Sequence, residues 1–159
     1  MQVAATDDLA YVFAIGQRTV GKKTVCQTSC FRNLDGKPSI YGTWAAVRIA
    51  ISSLGPVFYG AKQKEVIKVD FSTKKELLRI DVSLVDEADT CTAITLSRDE
   101  NFMFVGVSDN SIRIYLTETG QEVGMLLTKA APRYLFHCDN NRTLYTVSES
   151  RIGAIPLKG

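Results

Sequence analysis

An all-β chain built from a repeated four-stranded unit is what this sequence predicts, on three observations. Short apolar, β-branched runs such as TAITLS, FMFVGVS, SIRIYL and EVGMLL alternate with turn residues every eight to twelve positions. No stretch holds a helical period: STKKELLRIDV comes nearest, but it is short and its flanks read as strands. The same plan returns every 40 to 46 residues.

The segment RDENFMFVGVSDNSIRIYLTETGQEV (98–123) serves as the template. GPVFYGAKQKEVIKVDFSTKKELL (55–78) follows it, with Phe58-Tyr59-Gly60 set against Phe104-Val105-Gly106 at an offset of 46 and Ile67-Lys68-Val69 against Ile112-Arg113-Ile114 at 45. Downstream, Leu144 lies 40 after Phe104 and Ile152 lies 40 after Ile112; upstream, Asp7 lies 92 before Asp99. A period of this length with four strands per unit is that of a β-propeller blade, a sheet that buries both faces only by packing against its neighbours around a central axis.

The strands follow in order. The first blade (1–44) takes QVAA as inner strand, AYVFAIG as second, TVCQTSCF as third and SIYGTW as outer strand. The second blade spans 45–83 and the third 84–128. The fourth (129–159) runs from near Pro132 to IGAIPL without an outer strand, for about fifteen strands and 3.75 blades. Closed rings usually hold about four to eight blades. The expectation is therefore part of a larger propeller, or a half that pairs with another chain; a four-bladed ring is the alternative.

The third unit carries a family resemblance. CTAITLSRDENFMFVGVSDNSIRIYLTETGQEVGML (91–126) resembles a WD repeat in its run of strands and turns. Arg98-Asp99-Glu100 fills the first turn, without the usual proline and glycine. Asp109 falls at the turn aspartate with which many such repeats tie blade to blade. Tyr115 stands where the family's tryptophan stands, and Thr119-Gly120 fits the last turn, where glycine supplies a positive φ. No Gly-His precedes a blade and no Trp-Asp follows a third strand, so the family's His–Ser–Asp–Trp tetrad is incomplete and a generic, quinoprotein-like propeller stays open.

Composition bounds the rest. The 159 residues carry a formal net charge of +2, which gives no strong general attraction to nucleic acid or membrane. Residues 1–80 hold 12 Lys/Arg against 6 Asp/Glu, and residues 81–159 hold 7 against 11. Such asymmetry marks either a basic face for an acidic partner or a solvated surface of uneven charge. No apolar run nears the roughly 20 residues of a membrane span, and the acid-bearing start lacks the basic region of a signal peptide. Asn141-Arg142-Thr143 matches a glycosylation sequon, read as chance without a secretory route. Cys26 and Cys30 stand about 13 Å apart along a strand, too far for a disulfide, so these two, with Cys91 and Cys138, are expected as free thiols in a reducing compartment.

GQRTVGKKT (16–24) nearly spells a phosphate-binding loop. The match fails in its parts: Lys23 stands where Ser or Thr should hold Mg²⁺, the interior is bulky, and strand character follows where a helix should begin. The stretch is read instead as a basic loop between the first blade's second and third strands, with Gly16 closing the second strand as Gly60 and Gly106 close theirs. His137 belongs on the fourth blade's inner strand, where adjacent Cys138 points to the opposite face and forms no dyad with it. The acids of VDEADT (85–90) lack the glycine bend and closing glutamate of a calcium loop. Most aromatics sit inside apolar runs and read as core, while Trp44 ends an outer strand.

No catalytic set, metal site or cofactor site assembles from these residues, so the expectation is a non-enzymatic scaffold for protein–protein interaction in an intracellular multiprotein assembly. Its partner contacts are expected at Arg18, Lys22, Lys23, Trp44, Asp86 and Glu87, with Asp109, Tyr115 and Gly120 as structural blade turns. Two alternatives stand beside it: a subunit of the small-subunit processome, which the degenerate first blades followed by the clearer TAITLSRDE blade resemble, with an RNA-containing assembly as partner; and, from the incomplete tetrad, a quinoprotein-like propeller enzyme.

Overall fold

The structure, a computed structural model, describes residues 2–34, 37–138 and 142–157. Asn141 of the sequon lies outside them.

Fifteen strands form four antiparallel sheets arranged as the blades of a four-blade β-propeller, with no helix among the described residues. The first sheet holds β1 (Gln2–Ala5), β2 (Tyr11–Val20), β3 (Lys23–Leu34) and β4 (Lys37–Trp44) in sequence order. The second holds β5 (Arg48–Ile51), β6 (Val57–Ala61), β7 (Glu65–Asp70) and β8 (Lys75–Asp81). The third holds β9 (Cys91–Leu96), β10 (Phe102–Val107), β11 (Ser111–Leu116) and β12 (Glu122–Leu127). The fourth holds, among the described residues, β13 (Tyr134–Cys138), β14 (Thr143–Val147) and β15 (Ile152–Pro156). STKKELLRIDV is thus a turn followed by β8.

Three apolar cores lie between successive blades. Phe13, Ile15 and Cys30 of the first blade meet Ile49, Phe58, Ile67 and Val69 of the second. Tyr59, Ala61, Val66 and Ile80 of the second meet Ile94, Met103, Val105 and Tyr115 of the third. Ala93, Phe104 and Ile112 of the third meet Leu135 and Leu144 of the fourth. These are the alternate residues of each strand, as the two-residue period of side chains requires.

The cores correct the repeat alignment. Phe104 and Leu144 face each other across one interface, so they lie on opposite faces of their own blades and cannot be equivalent. Register makes Tyr145 the counterpart of Phe104, at an offset of 41, while Ile152 keeps its place 40 after Ile112. Between the second and third blades, Tyr59 and Ala61 correspond to Phe104 and Gly106, at 45, and Val66 to Ile112, at 46. The offsets of 46, 45 and 40 first set for Phe58, Ile67 and Leu144 are each one residue out, which exchanges the two faces of a strand, and only that of Ile152 stands.

The first turn of the blade shows the same slip. Asp8, not Asp7, corresponds to Asp99. Thr6 Oγ1 donates to Asp8 Oδ1 at 2.6 Å, and Asp8 accepts from the Ala10 amide at 3.0 Å. Ser97 Oγ donates to Asp99 Oδ1 at 2.6 Å, and Asp99 accepts from the Asn101 amide at 3.1 Å. Leu9 and Glu100, the residues after the aspartates, both take a positive φ, of 56° and 57°.

Candidate interaction face

In each complete blade the second-to-third-strand turn and the connection to the next blade emerge at the same end, because the sheets are antiparallel in sequence order. The charged candidates Arg18, Lys22, Lys23, Asp86 and Glu87 therefore lie at one end of the propeller, the basic trio on the first blade and the acids between the second and third.

The basic stretch is not a loop. β2 and β3 stay paired out to Val20 and Lys23, leaving a two-residue turn at Gly21-Lys22. Gly21 has φ +63°, which a type II′ hairpin turn needs at its first central position. β1 pairs only as far as Ile15 and β4 only as far as Thr28, so residues 16–27 form a two-stranded arm beyond the body of the blade. Gly16 lies inside this arm with open space where a side chain would stand. Gly106 instead sits where a Cβ would come within 2.6 Å of Pro132 Cγ. The sequence reading of Gly16 as a strand end fails because the hairpin continues past it. Arg18, Lys22 and Lys23 are exposed and form no ion pair among the described residues.

The acidic connection is held in place. Asp86 Oδ1 accepts from the Ala88 amide at 2.8 Å. Lys64 Nζ, from the second blade's turn, donates to the Glu87 carbonyl at 2.6 Å. Ser108 Oγ donates to Asp89 Oδ1 at 2.9 Å and accepts from the Thr90 amide at 3.0 Å. The Glu87 carboxylate makes no bond among the described residues and projects from a fixed backbone. Lys62 and Lys64, with Glu65, Asp81 and the arm residues Thr24 and Val25, line an open depression of about 420 Å³. These lysines were missed in the sequence, although AKQKE occupies the same turn of the repeat as the basic arm.

Trp44 packs edge-on against Phe58 with ring centroids 5.0 Å apart, half-buried between the first and second blades. Asp109 accepts from the Ser111 amide at 3.0 Å, from the Ser111 hydroxyl and from Arg113 Nη2 at 3.1 Å. Burial alone would raise its pKa, but the Ser111 hydroxyl and the Arg113 guanidinium hold the carboxyl below the usual range. Arg113 carries the link onward to the Ser83 carbonyl at 2.9 Å, so Asp109 ties blade to blade through this arginine. Tyr115 is buried, its hydroxyl without a partner among the described residues. Gly120 has φ +75° and lies against Ile80 of the preceding blade.

Residues of the four inner strands, among them Gln2, Ile51, Thr95 and Phe136, and Glu100 of the third blade's first turn border an open cleft of about 360 Å³. Glu100 is engaged there, accepting from Ser52 Oγ at 2.9 Å and the Ser53 amide at 3.0 Å. His137 is half-buried and stacks on Phe104 at 5.8 Å. Among the described residues no three His, Cys, Asp or Glu side chains gather to hold a metal, and no helix is long and apolar enough to cross a membrane. All four cysteines are free thiols, Cys30 and Cys91 buried, Cys26 and Cys138 half-buried.

Blade-by-blade packing of four-stranded antiparallel sheets defines the class, a β-propeller. Among solved structures the chain is similar to the hydrazine synthase of Kuenenia stuttgartiensis, with a TM-score of 0.73 and 18% identity over 97% of this chain and 45% of that one. It is also similar to U3-55K and to the WD40 repeats of RRP9, each with a TM-score of 0.67 and 12% identity over 97% of this chain and 50% of that one. At these identities the likeness is one of fold, and the chain spans about half the length of these structures. No protein-family profile matches the chain, and no curated protein does.

Proposed function

We propose that this propeller is a protein-interaction scaffold of a multiprotein assembly, working without catalysis in a reducing intracellular compartment. One observation carries the reading: charged side chains with no ion-pair partner among the described residues, Arg18, Lys22, Lys23 and Glu87, stand on a hydrogen-bonded hairpin arm and on a braced connection at one end of the blades. A rigid frame presenting charged groups binds without first losing the entropy of ordering them, and WD40 propellers are among its structural neighbours. An enzyme of the quinoprotein-like kind would need titratable groups converging on the cleft of the inner strands, and Glu100 is committed there to the turn of the adjacent blade. The processome setting, with an RNA-containing partner, draws on the resemblance of the degenerate first blades followed by the clearer TAITLSRDE blade.

The test is affinity purification of the assembly from its native source, comparing wild type with a triple Arg18→Glu, Lys22→Glu, Lys23→Glu variant and a double Asp86→Lys, Glu87→Lys variant. The expected result is loss of specific partners with the fold retained, the melting temperature unchanged in the basic-arm variant and slightly lowered in the acidic variant, which loses the Asp86–Ala88 amide bond. An unchanged partner set in both variants, or a stoichiometric quinone or metal in the purified protein, would overturn the reading.

A further inference from the structure

Along the arm, β3 has a strand on one side only. β4 pairs with it as far as Trp44 on Thr28. The chain is then drawn into the second blade: Thr28 Oγ1 donates to the Ala46 carbonyl at 3.1 Å, and the Val47 amide donates to the Ala61 carbonyl at 2.8 Å. Residues 23–27 are left as an open edge about 17 Å long. The two-residue turn makes Val20 and Lys23 a hydrogen-bonded pair, and paired residues alternate from there. The amides and carbonyls of Thr24 and Cys26 therefore face the open edge, with no partner among the described residues. This edge is one wall of the depression of about 420 Å³, with Val47 beside it and Lys62, Lys64 and Asp81 of the second blade across from it. Both walls lie between residues 24 and 81, well inside the chain.

We infer that this edge takes an extended acidic segment of a partner protein, which adds to the arm as a further strand. An unpaired edge is a template for another strand, and main-chain bonds to Thr24 and Cys26 supply the attachment. Val25, 42% exposed on the edge, suits a β-branched residue opposite it. Charge selects the rest. Glu65 is already held by Lys62 at 3.0 Å and Arg79 at 3.4 Å. Lys64 gives its hydrogen bond to the Glu87 carbonyl, an uncharged acceptor. Arg18, Lys22 and Lys23 on the arm, with Lys64 across from it, thus outnumber Asp81 and Glu87, the nearby carboxylates that form no ion pair among the described residues. A nucleic acid would meet the same cations but leave the main-chain edge unused, so a peptide is the partner the geometry fits. The inference rests on the scaffold reading and gives it a mode of binding.

A synthetic octapeptide of alternating valine and glutamate, titrated into the full chain, tests it. It should bind with a Kd below about 1 mM and slow hydrogen exchange at the Thr24 and Cys26 amides by about tenfold or more. The fully N-methylated peptide, which keeps the charges but has no main-chain donor, should bind at least about tenfold more weakly, as should a valine–lysine octapeptide. Thr24→Pro removes an edge amide that β2 does not use, so it should weaken binding to the same degree. Strand addition is overturned if the valine–glutamate peptide does not bind, or if the N-methylated peptide, the lysine peptide or the Thr24→Pro chain binds equally well. It is overturned equally if the two amides are already protected in the free chain, or if single-stranded RNA protects them and the peptide does not. Should charge reversal on the arm remove native partners while these peptide tests fail, the scaffold reading stands and strand addition falls.

Discussion

Arg113 sets one guanidinium nitrogen 3.1 Å from the Asp109 carboxylate in its own hairpin and another 2.9 Å from the Ser83 carbonyl at the end of the preceding blade. The arginine side chain is only 9% exposed. A buried cation is retained where a carboxylate and a carbonyl both face it.

Asp109→Ala should therefore destabilise the fold by about 2–4 kcal/mol, since it leaves a buried guanidinium short of a partner. Because the folded-state pKa of Asp109 is depressed, its contribution is complete above the unfolded value of about 3.9 and fades as pH falls toward and through the folded value. Urea unfolding between neutral pH and pH 3 should show a steeper acid loss in wild type than in Asp109→Asn. Parallel curves would remove this carboxylate from the account.

Tyr115 buries a hydroxyl that finds no acceptor among the described residues. Tyr115→Phe should be neutral or stabilising by up to about 1 kcal/mol, whereas Tyr115→Ala should cost about 3–5 kcal/mol through the cavity it leaves. Burial first, and then the Glu122 charge, raise the phenol pKa well above its usual value. In an alkaline absorbance titration this tyrosine should ionise only as the protein unfolds.

Gly120 and Gly16 make a matched pair for thermal unfolding. At Gly120 the φ is +75° and an added Cβ would stand 2.8 Å from Ile80 Cγ1, so Gly120→Ala should cost about 1–3 kcal/mol. At Gly16 there is open space and an ordinary φ, so Gly16→Ala should change stability by less than about 0.5 kcal/mol. Equal effects would contradict the arm geometry.

Burial pushes the Cys30 thiol up to about 11 and the Cys91 thiol up to about 12. An alkylating agent that needs the thiolate should label Cys26 and Cys138 first in the native protein, and Cys30 and Cys91 at the rate of opening. Both raised values favour the fold below the unfolded thiol pKa of about 8.5, and that contribution is lost as pH rises through the folded values. Fast native labelling at Cys91 would refute this.

Strand existence was legible because turn chemistry separates the runs: Asp99, Asp109 and Gly120 each act at the turn their residue type suits. Blade equivalence was not legible to within one residue. FYG and FVG match as letters, yet Gly60 faces the first blade and Gly106 the fourth, and only packing distinguishes two faces that are both apolar. The arm at 16–27 was hidden for another reason. Gly16, Gln17 and Arg18 lack strand propensity, and the pairing of β2 with β3 overrides it. The charged face could be read only as scattered residues, since its Lys64–Glu87 contact joins positions 23 apart.

Among the described residues every hydrogen-bonded pair of strands is consecutive in sequence. Strand pairing is therefore local along the chain, which lets stability accumulate unit by unit. During synthesis the first sheet is complete once Trp44 has emerged, before any residue of the second is needed, so growth of the chain and growth of the fold can advance together.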